Sequence, residues 1–159
     1  LIDNIRKIIP NCGISQDIIT GFPSETECDH KETLTLMEYV KYDFGFMFSY
    51  SERPGTLAAR KMKDDIPEKT KKRRLQEIIS LQRLHSRHRT EQYINKTVCV
   101  LIEKESKKSA FDWSGRTSQN TVVVFPKKDF KIGDFIDVKI ESVTSATLRG
   151  YAINYSKIL

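Results

Sequence analysis

The chain has 159 residues, 38% of them hydrophobic and 30% charged, and its formal net charge at pH 7 is +6. This length suits one domain or one and a half small ones. No apolar run approaches the roughly 20 residues that a membrane-spanning helix needs, so we expect no membrane-spanning segment. No signal peptide is recognisable, but its absence is weak evidence if the true N-terminus is missing. The first nine residues resemble the tail of an amphipathic helix, and we expect a preceding part of the protein to be missing.

The basic excess lies in the C-terminal two thirds of the chain. Residues 1–60 contain six basic and nine acidic side chains, whereas residues 61–91 contain ten basic and five acidic ones. Residues 92–159 contain eleven basic and seven acidic side chains. A local positive charge of this kind favours an anionic partner, and we expect nucleic acid rather than a membrane surface.

Cysteine and histidine spacing predicts no metal site. The three cysteines are far apart and form no C-x-x-C pair: Cys12, Cys28 and Cys99. This spacing predicts neither a disulfide framework nor a zinc site, so we interpret them as free thiols of a reducing cytoplasm. His30, His85 and His88 have no carboxylate or cysteine in register with them, and we assign them no metal.

The first half of the chain alternates helical and strand-like patterns. A short β-branched run over Ile14–Thr20 predicts a buried strand, which a Gly-Phe-Pro turn ends. Helices are predicted over Glu27–Tyr42 and Leu57–Met62, with an aromatic strand over Asp43–Tyr50 between them. Strand, helix and strand in this order predict a parallel βαβ unit, which is part of a parallel sheet or of a (β/α) barrel.

The sequence pattern over residues 67–92 predicts one long polar helix. Pro67 suits its first turn, and Asp64 or Asp65 suits its N-cap. We expect a narrow apolar stripe to be buried: Leu75, Ile78, Ile79 and Leu84. Basic side chains cover most of the remaining surface, a pattern that is also typical of a solvated connecting helix.

After Asn95 the pattern changes to short strands separated by turns. The predicted strands are Thr97–Ile102, Ser114–Thr117, Thr121–Phe125, Phe135–Glu141 and Leu148–Ile153. Five short antiparallel strands within about 65 residues predict a small barrel of OB or SH3-like size. We place the domain boundary near residues 92–95, which gives domains of residues 1–92 and 93–159.

The turn after the first strand is the best candidate for a ligand site in the first domain. Ligands of α/β proteins bind at the carboxyl ends of strands, where this turn lies. Burying Asp17 alone would be costly, so it is either hydrogen-bonded or ligand-facing. Glu25 either serves the site or stabilises the helix macrodipole. Arg53, in a rigid Pro-Gly turn, either fixes a carboxylate or phosphate or is simply exposed.

The second domain mixes cations with aromatic side chains. Such cations bind the phosphate backbone of a nucleic acid, and bases stack on such aromatic rings. The RNA-binding candidates are Lys107, Lys108, Trp113, Arg116, Lys127, Lys128 and Arg149. Trp113 is the best stacking candidate, and a partly buried core position is its alternative. Each lysine alone is weak support, because solvated lysines are the default on any protein surface.

Several motifs together resemble one family, the radical S-adenosylmethionine methylthiotransferases. Asp17–Thr26 is similar to the family's D-x-I-x-G-F-P-G-E-T turn, and Tyr50–Thr56 is similar to its Y-S-x-R-P-G-T turn. Ser114–Asn120 resembles the S-G-R-T-x-x-N start of the family's TRAM domain, as do Ile132–Asp134 and Leu148–Gly150 further on. The resemblance covers essentially the whole chain, in the family's order and spacing.

The resemblance implies a fold that is α/β plus all-β. The C-terminal part of a radical S-adenosylmethionine (β/α) partial barrel would be followed by a small five-stranded antiparallel TRAM barrel. It also implies S-adenosylmethionine and two [4Fe–4S] clusters in the whole protein. The most similar branch adds a methylthio group to carbon 2 of an isopentenylated adenosine beside the anticodon. The implied partner is therefore the anticodon stem-loop of tRNA, bound by a monomeric cytoplasmic enzyme.

The resemblance further assigns residues of the cofactor pocket. They are Asp17, Ile19, Gly21, Phe22 and Arg53. In this resemblance Ile19, Gly21 and Phe22 would pack near the adenine, largely through backbone and apolar contacts. Arg53 would lie at the barrel mouth, near cofactor or substrate. No catalytic residue is assigned within this sequence.

The chain departs from the family pattern in two ways. The family turn usually has Gly where Ser24 stands, so this serine either avoids positive φ or adopts it at a cost of roughly 1 kcal/mol. The C-x-x-x-C-x-x-C loop of the radical cluster and the cysteines of the N-terminal cluster are absent. We therefore expect the chain alone to bind none of these cofactors and to be inactive. Sheet edges left by missing strands should permit self-association.

Two alternatives remain open from the sequence. One is a methylthiotransferase for an aspartate of a ribosomal protein, but a domain that docks on a basic protein should not itself be strongly positive. The other is a non-catalytic RNA-binding module of the OB type, with residues 1–91 as its scaffold. The ligand-type turn at Asp17–Glu25 argues against a pure scaffold.

Overall fold

A computed structural model describes residues 1–156 of the chain. The elements in chain order are α1 (Ile2–Ile8), β1 (Ser15–Thr20), α2 (Glu27–Val40), β2 (Phe44–Ser49), α3 (Leu57–Lys61), α4 (Glu68–Glu91), β3 (Thr97–Ser106), β4 (Ser109–Arg116), β5 (Val122–Pro126), β6 (Phe135–Val143) and β7 (Thr147–Tyr155). They pack into two compact units: residues 14–85, and residues 1–13 together with the chain from Ser86 onward. The predicted second domain extends over residues 157–159, which lie outside the described part.

The unit of residues 14–85 is built on a βαβ motif, as the sequence predicted. Strands β1 and β2 are parallel, in a register that runs from Ser15 opposite Phe44 to Thr20 opposite Ser49. Helix α2 connects them and begins at a capping box, in which Thr26 and Asp29 exchange backbone-to-side-chain hydrogen bonds of 2.8 and 3.2 Å. The hydrogen bonds from Thr26 lower the pKa of the Asp29 carboxyl.

The prediction that β1 is a buried strand is wrong for one of its faces. Thr20 is buried, but Ile19 is 58% exposed. On the neighbouring strand, Phe46 and Phe48 are 59% and 57% exposed. Because side chains alternate along a strand, a two-stranded sheet that is covered on one face leaves the other face open. That open face is apolar, which is why the sequence pattern indicated full burial.

The predicted buried stripe of α4 is wrong in part. Ile78 is fully buried as expected, whereas Leu84 is 63% exposed. Polar side chains at spacings of three and four residues share the buried face with Ile78: Lys71, Arg74, Gln82 and His85. Such groups can be buried because each has hydrogen-bonding or charged partners on neighbouring segments.

The second unit contains a closed barrel with the strand order β3-β4-β5-β7-β6. Four of its neighbour pairs are antiparallel, but β5 and β7 are parallel. The prediction of an all-antiparallel barrel is therefore wrong at this pair. An odd number of strands cannot close with every neighbour antiparallel, so one parallel pair is unavoidable. The core is formed by Val100, Ile102, Val123, Phe125, Ile136, Val138, Ile140, Leu148 and Ala152.

Ser24 adopts the costlier of the two conformations that the sequence left open, with φ at +72°. Its N–H donates to the Asp65 carboxylate at 2.8 Å, a contact that glycine would keep. We expect Ser24→Gly to raise the free energy of unfolding by about 1 kcal/mol, since the left-handed region costs glycine little. Thermal and urea unfolding would measure this gain. Ser51→Gly, at an exposed position without positive φ, should give no gain; equal effects of the two changes would contradict the explanation.

Candidate functional sites

A pocket of about 780 Å³ opens on the exposed face of the β1–β2 sheet. It contains four of the five residues predicted to bind the cofactor: Asp17, Ile19, Phe22 and Arg53. The rest of its wall is formed by Ile18, Phe46, Phe48, Ser49, Tyr50, Ser51, Thr56 and Ala58. Sequence patterns did not single out the two phenylalanines, although the aromatic alternation of β2 was a usable signal.

The strand register explains why these residues meet. Asp17 pairs with Phe46 and Ile19 pairs with Phe48, so all four side chains share one face of the sheet. Phe22 follows β1 and packs edge-on against Tyr50, with ring centroids 5.1 Å apart. The result is an aromatic, apolar wall with one acidic and one basic side chain at the pocket, which suits a planar heterocycle that carries polar groups.

Gly21, the fifth predicted cofactor residue, is a buried residue of the turn and is not part of the pocket wall. Its φ is +73°, and a Cβ at this position would overlap the side chain of Lys71. Gly21 therefore lets the chain turn directly over a buried lysine. A glycine is needed here because the backbone adopts a positive φ and passes close to the Lys71 side chain.

Lys71 is a buried cation below that turn, with a side chain only 1% exposed. Its ammonium group contacts the carboxylates of Asp64 at 2.5 Å and Glu68 at 3.1 Å, and it lies 5.4 Å from the ring centroid of Tyr50. Burial lowers the pKa of Lys71, but the hydrogen bonds to the two carboxylates raise it, and the net shift is upward. Lys71 is therefore charged at neutral pH.

Arg74, one helical turn further along α4, holds the turn from the other side. Its guanidinium donates to the backbone oxygen of Glu25 at 3.0 Å, to the Glu25 carboxylate at 2.7 Å and to Glu27 at 3.2 Å. The same Glu25 carboxylate accepts the N–H of Gly21. Glu25 is thus a structural link between the turn and α4, a role that the sequence did not reveal because the basic face of α4 resembled a solvated surface.

The histidines of the first unit also have helix partners. His30 is buried and lies 2.7 Å from the Glu77 carboxylate, which lowers the pKa of Glu77. His85 is buried and lies 3.2 Å from Glu38. Among residues 1–156, no group of three or more His, Cys, Asp or Glu side chains is placed to hold a metal ion. Cys12, Cys28 and Cys99 are all free thiols.

A basic groove of about 310 Å³ lies on the outside of the barrel. It brings together four of the seven predicted RNA-binding residues: Lys107, Lys108, Arg116 and Arg149. The other lining residues are Glu103, Lys104, Ser106, Ser114, Val122, Val124, Thr144 and Thr147. Five cations and a single carboxylate thus line the groove, and a surface with this charge attracts a polyanion.

The barrel register explains the groove. Val124 lies between Ser114 on β4 and Arg149 on β7, and Val122 lies between Arg116 and Thr147 in the same way. Alternation places these residues on the outer face, with the two valines as the floor. Sequence reasoning missed the two threonines, although the alternation of β7 from Arg149 pointed to Thr147.

Arg116 is held in place by its own loop. Its guanidinium donates to the backbone and side-chain oxygens of Asn120 at 2.9 and 2.8 Å, and its Nε lies 3.4 Å from the Glu103 carboxylate. The Thr117 hydroxyl accepts the N–H of Thr121 in the same loop. Arg116 thus orders the S-G-R-T-x-x-N segment as well as lining the groove.

The other three predicted RNA-binding residues lie outside the groove. Trp113 packs against the barrel core, and the ammonium of Lys127 lies 4.5 Å from the centroid of the indole ring. Lys127 also forms an ion pair with Glu105 at 2.5 Å. Lys128 donates to the backbone oxygen of Ala152 at 3.1 Å. These contacts occupy the three side chains within the barrel itself.

Across residues 1–156, no helix combines the length and the apolar character that crossing a bilayer requires.

Comparison with known proteins shows what the barrel resembles. Residues 91–153, which contain β3 to β6 and most of β7, match the TRAM domain family. Over nearly its whole length the chain is similar to proteins named tRNA-2-methylthio-N(6)-dimethylallyladenosine synthase. It is 67% identical to that of Christiangramia forsetii over 98% of this chain and 32% of the relative. The predicted resemblance to the methylthiotransferases is thereby confirmed.

Other relatives of the same name give the same picture. The Flavobacterium johnsoniae protein is 62% identical over 99% of this chain and 33% of its own length. The Bacteroides fragilis protein is 51% identical over 92% of this chain and 32% of its own length. The chain therefore spans about a third of the length of the curated relatives that it matches.

Proposed function

We propose that this chain is the C-terminal part of a tRNA methylthiotransferase that adds a methylthio group to carbon 2 of isopentenyladenosine beside the anticodon. The observation that carries the proposal is the 67% identity to a synthase of that name over 98% of this chain. In this proposal, residues 1–92 are the end of a radical S-adenosylmethionine barrel with its linking helix. Residues 93–159 are the RNA-binding TRAM domain.

The pocket on the open sheet face fits part of an S-adenosylmethionine site. Its volume of about 780 Å³ is in the range of small-molecule pockets. Ile19, Phe22 and the aromatic wall would pack on the adenine, while Asp17 and Arg53 would bind the polar groups of the ligand. When bound, this cofactor supplies the methyl group and the adenosyl radical of the family's chemistry. Gly21 would support the site through the backbone.

The residues of this chain do not fit an iron–sulfur cluster. A cluster needs several convergent cysteine thiolates, whereas Cys12 is half-buried and Cys28 and Cys99 are exposed as separate free thiols. We therefore assign no cluster-dependent step to this chain and expect the chain alone to be inactive.

The basic groove supports RNA as the partner. Five cations beside one carboxylate favour a phosphate backbone and disfavour a basic ribosomal protein. Lys127, Lys128 and Trp113 would serve at its periphery, where a base that reaches the Trp113 ring must displace Lys127. We infer that the whole protein is a cytoplasmic monomer. The isolated chain would self-associate through the outer edges of the two-stranded sheet.

Binding of an isopentenylated anticodon stem-loop, titrated against salt beside an unrelated hairpin, tests the proposal. We expect selective, salt-sensitive binding to the unchanged chain. Changing Lys107, Lys108 and Arg149 together to Gln should weaken it. The slope of log K against log salt should fall by roughly 0.7–0.9 for each phosphate that the variant no longer neutralises. Arg116 is left unchanged because it orders its own loop.

The matched control removes three charges from the first 60 residues by changing Lys7, Lys31 and Lys41 to Gln. This variant should keep the salt slope of the unchanged chain. An equal decrease of the slope in both variants would show that net charge, and not the groove, governs binding. Equal affinity for the anticodon stem-loop and the unrelated hairpin would contradict the anticodon stem-loop as the specific partner of this chain.

A further inference from the structure

Phe111 is the most exposed aromatic side chain in the described part of the molecule. It is 85% exposed, whereas the next most exposed aromatic, Phe46, is 59% exposed. Phe111 lies on β4, three positions after the two-residue turn formed by Lys107 and Lys108. The hydrophobic effect disfavours a phenylalanine in water, and the barrel core does not cover this ring.

The backbone presents this ring in a fixed position. The N–H of Phe111 donates to the Ser109 hydroxyl at 3.2 Å, and its carbonyl accepts the N–H of Lys127 at 2.8 Å. Ser109 itself pairs with Ser106 across the hairpin. A ring on an ordered strand loses little backbone freedom when a ligand binds, which favours its use as a platform.

Trp113, the aromatic residue that the sequence favoured for stacking, is less available. Its ring packs on the core and lies under the ammonium of Lys127. Its Nε1 is buried without a hydrogen-bond partner among residues 1–156. A base that stacked there would have to displace the cation and break its ion pair with Glu105. Phe111 has no such cover.

The charges on this hairpin identify the kind of ligand. Lys107 and Lys108 form its turn and also line the basic groove. Phe111 lies on the Trp113 face of β4 and Ser114 on the groove face, so the two turn lysines connect the ring to the groove. An exposed ring on a hairpin with two lysines at its turn suits a nucleotide, because the base stacks on the ring while its phosphate meets a lysine. A protein partner would instead need a broad apolar patch, which one ring does not provide.

We propose that Phe111 is a stacking platform for an unpaired base of the RNA whose phosphates occupy the basic groove. The proposal rests on the proposed RNA-binding function and adds to it a base-contacting residue. Every base has a π-face, so the contact tolerates different sequences and requires only that the base be unpaired. Phe111 would therefore favour a loop nucleotide over a base-paired stem.

The test measures affinity and contact with one RNA, an anticodon stem-loop that carries 5-iodouridine in its loop. Phe111→Ala should weaken binding by about 5- to 150-fold, without changing the salt slope, because no charge is removed. Phe111→Trp should keep the affinity, and Phe111→Leu should lose most of it although leucine is apolar. Irradiation should crosslink the unchanged chain at Phe111, as mapped by mass spectrometry.

Phe135→Ala, which removes a 40% exposed phenylalanine of the same barrel, is the matched control and should bind normally. Unfolding temperatures of all variants separate a binding effect from a folding effect. If the unchanged chain bound no RNA, the proposed function itself would fail. If it bound RNA and Phe111→Ala or Phe111→Leu bound equally well, only the stacking proposal would be overturned.

Discussion

Gly150→Ala is expected to lower the free energy of unfolding of the barrel by about 3 kcal/mol or more. Gly150 is buried on β7 and pairs with Ile140 on β6. A Cβ at this position would overlap the carbonyl oxygen of Lys139 and approach its carbonyl carbon at 2.7 Å. Because these atoms belong to the backbone, no side-chain rotation can relieve the overlap, and the two strands must separate.

Urea unfolding followed by circular dichroism would measure this loss. Tyr151→Ala is the control, since it changes the adjacent residue, which is 46% exposed; its effect should stay below about 1 kcal/mol. The barrel is a small unit with a nine-residue buried core, so the Gly150 change should remove much of its stability. A loss below about 1 kcal/mol for Gly150→Ala would mean that β6 and β7 can shift apart without consequence.

The order and type of the elements were predictable from the sequence because local patterns determine them. The alternation of β-branched residues defined the barrel strands, and the Gly-Phe-Pro turn marked the end of β1. The parallel pairing of β5 with β7 was not visible in the same way. It follows from closing five strands into a ring, which is a property of the whole sheet and not of any segment.

The candidate sites were predictable to a different degree. Asp17, Ile19, Phe22 and Arg53 line one pocket because their motifs flank two paired strands. The supporting role of α4 was hidden, because a buried lysine or arginine has the same sequence signature as an exposed one. Only the positions of its carboxylate partners, which are distant in sequence, distinguish the two cases.

The pocket turn is thus held by polar contacts with α4 as well as by apolar packing. The Glu25 carboxylate joins the backbone of Gly21 to the guanidinium of Arg74. Lys71 lies beneath the same turn and against Tyr50, which lines the pocket. A change in these buried groups should therefore alter the unit's stability and the shape of the pocket together.

Arg74→Met is expected to lower the free energy of unfolding of the unit of residues 14–85 by about 3–5 kcal/mol. Removing one partner of a buried ion pair leaves the other charge without compensation. Here the uncompensated group would be Glu25, whose side chain is only 14% exposed. Arg74→Lys should recover part of the stability, because a lysine restores the charge but not the forked set of donors.

Arg73→Met is the matched control for this prediction. Arg73 is the preceding residue of α4 and also contacts Glu27, as well as Glu77, but its side chain is 45% exposed. An exposed pair contributes little, so this change should cost much less stability than Arg74→Met. Urea unfolding would compare the two variants, and hydrogen exchange would report on the Gly21 amide that donates to Glu25. Faster exchange in Arg74→Met alone is expected, because the Glu25 carboxylate is then without the cation that holds it in place. Similar decreases in stability for Arg73→Met and Arg74→Met would instead mean that burial does not distinguish the two arginines.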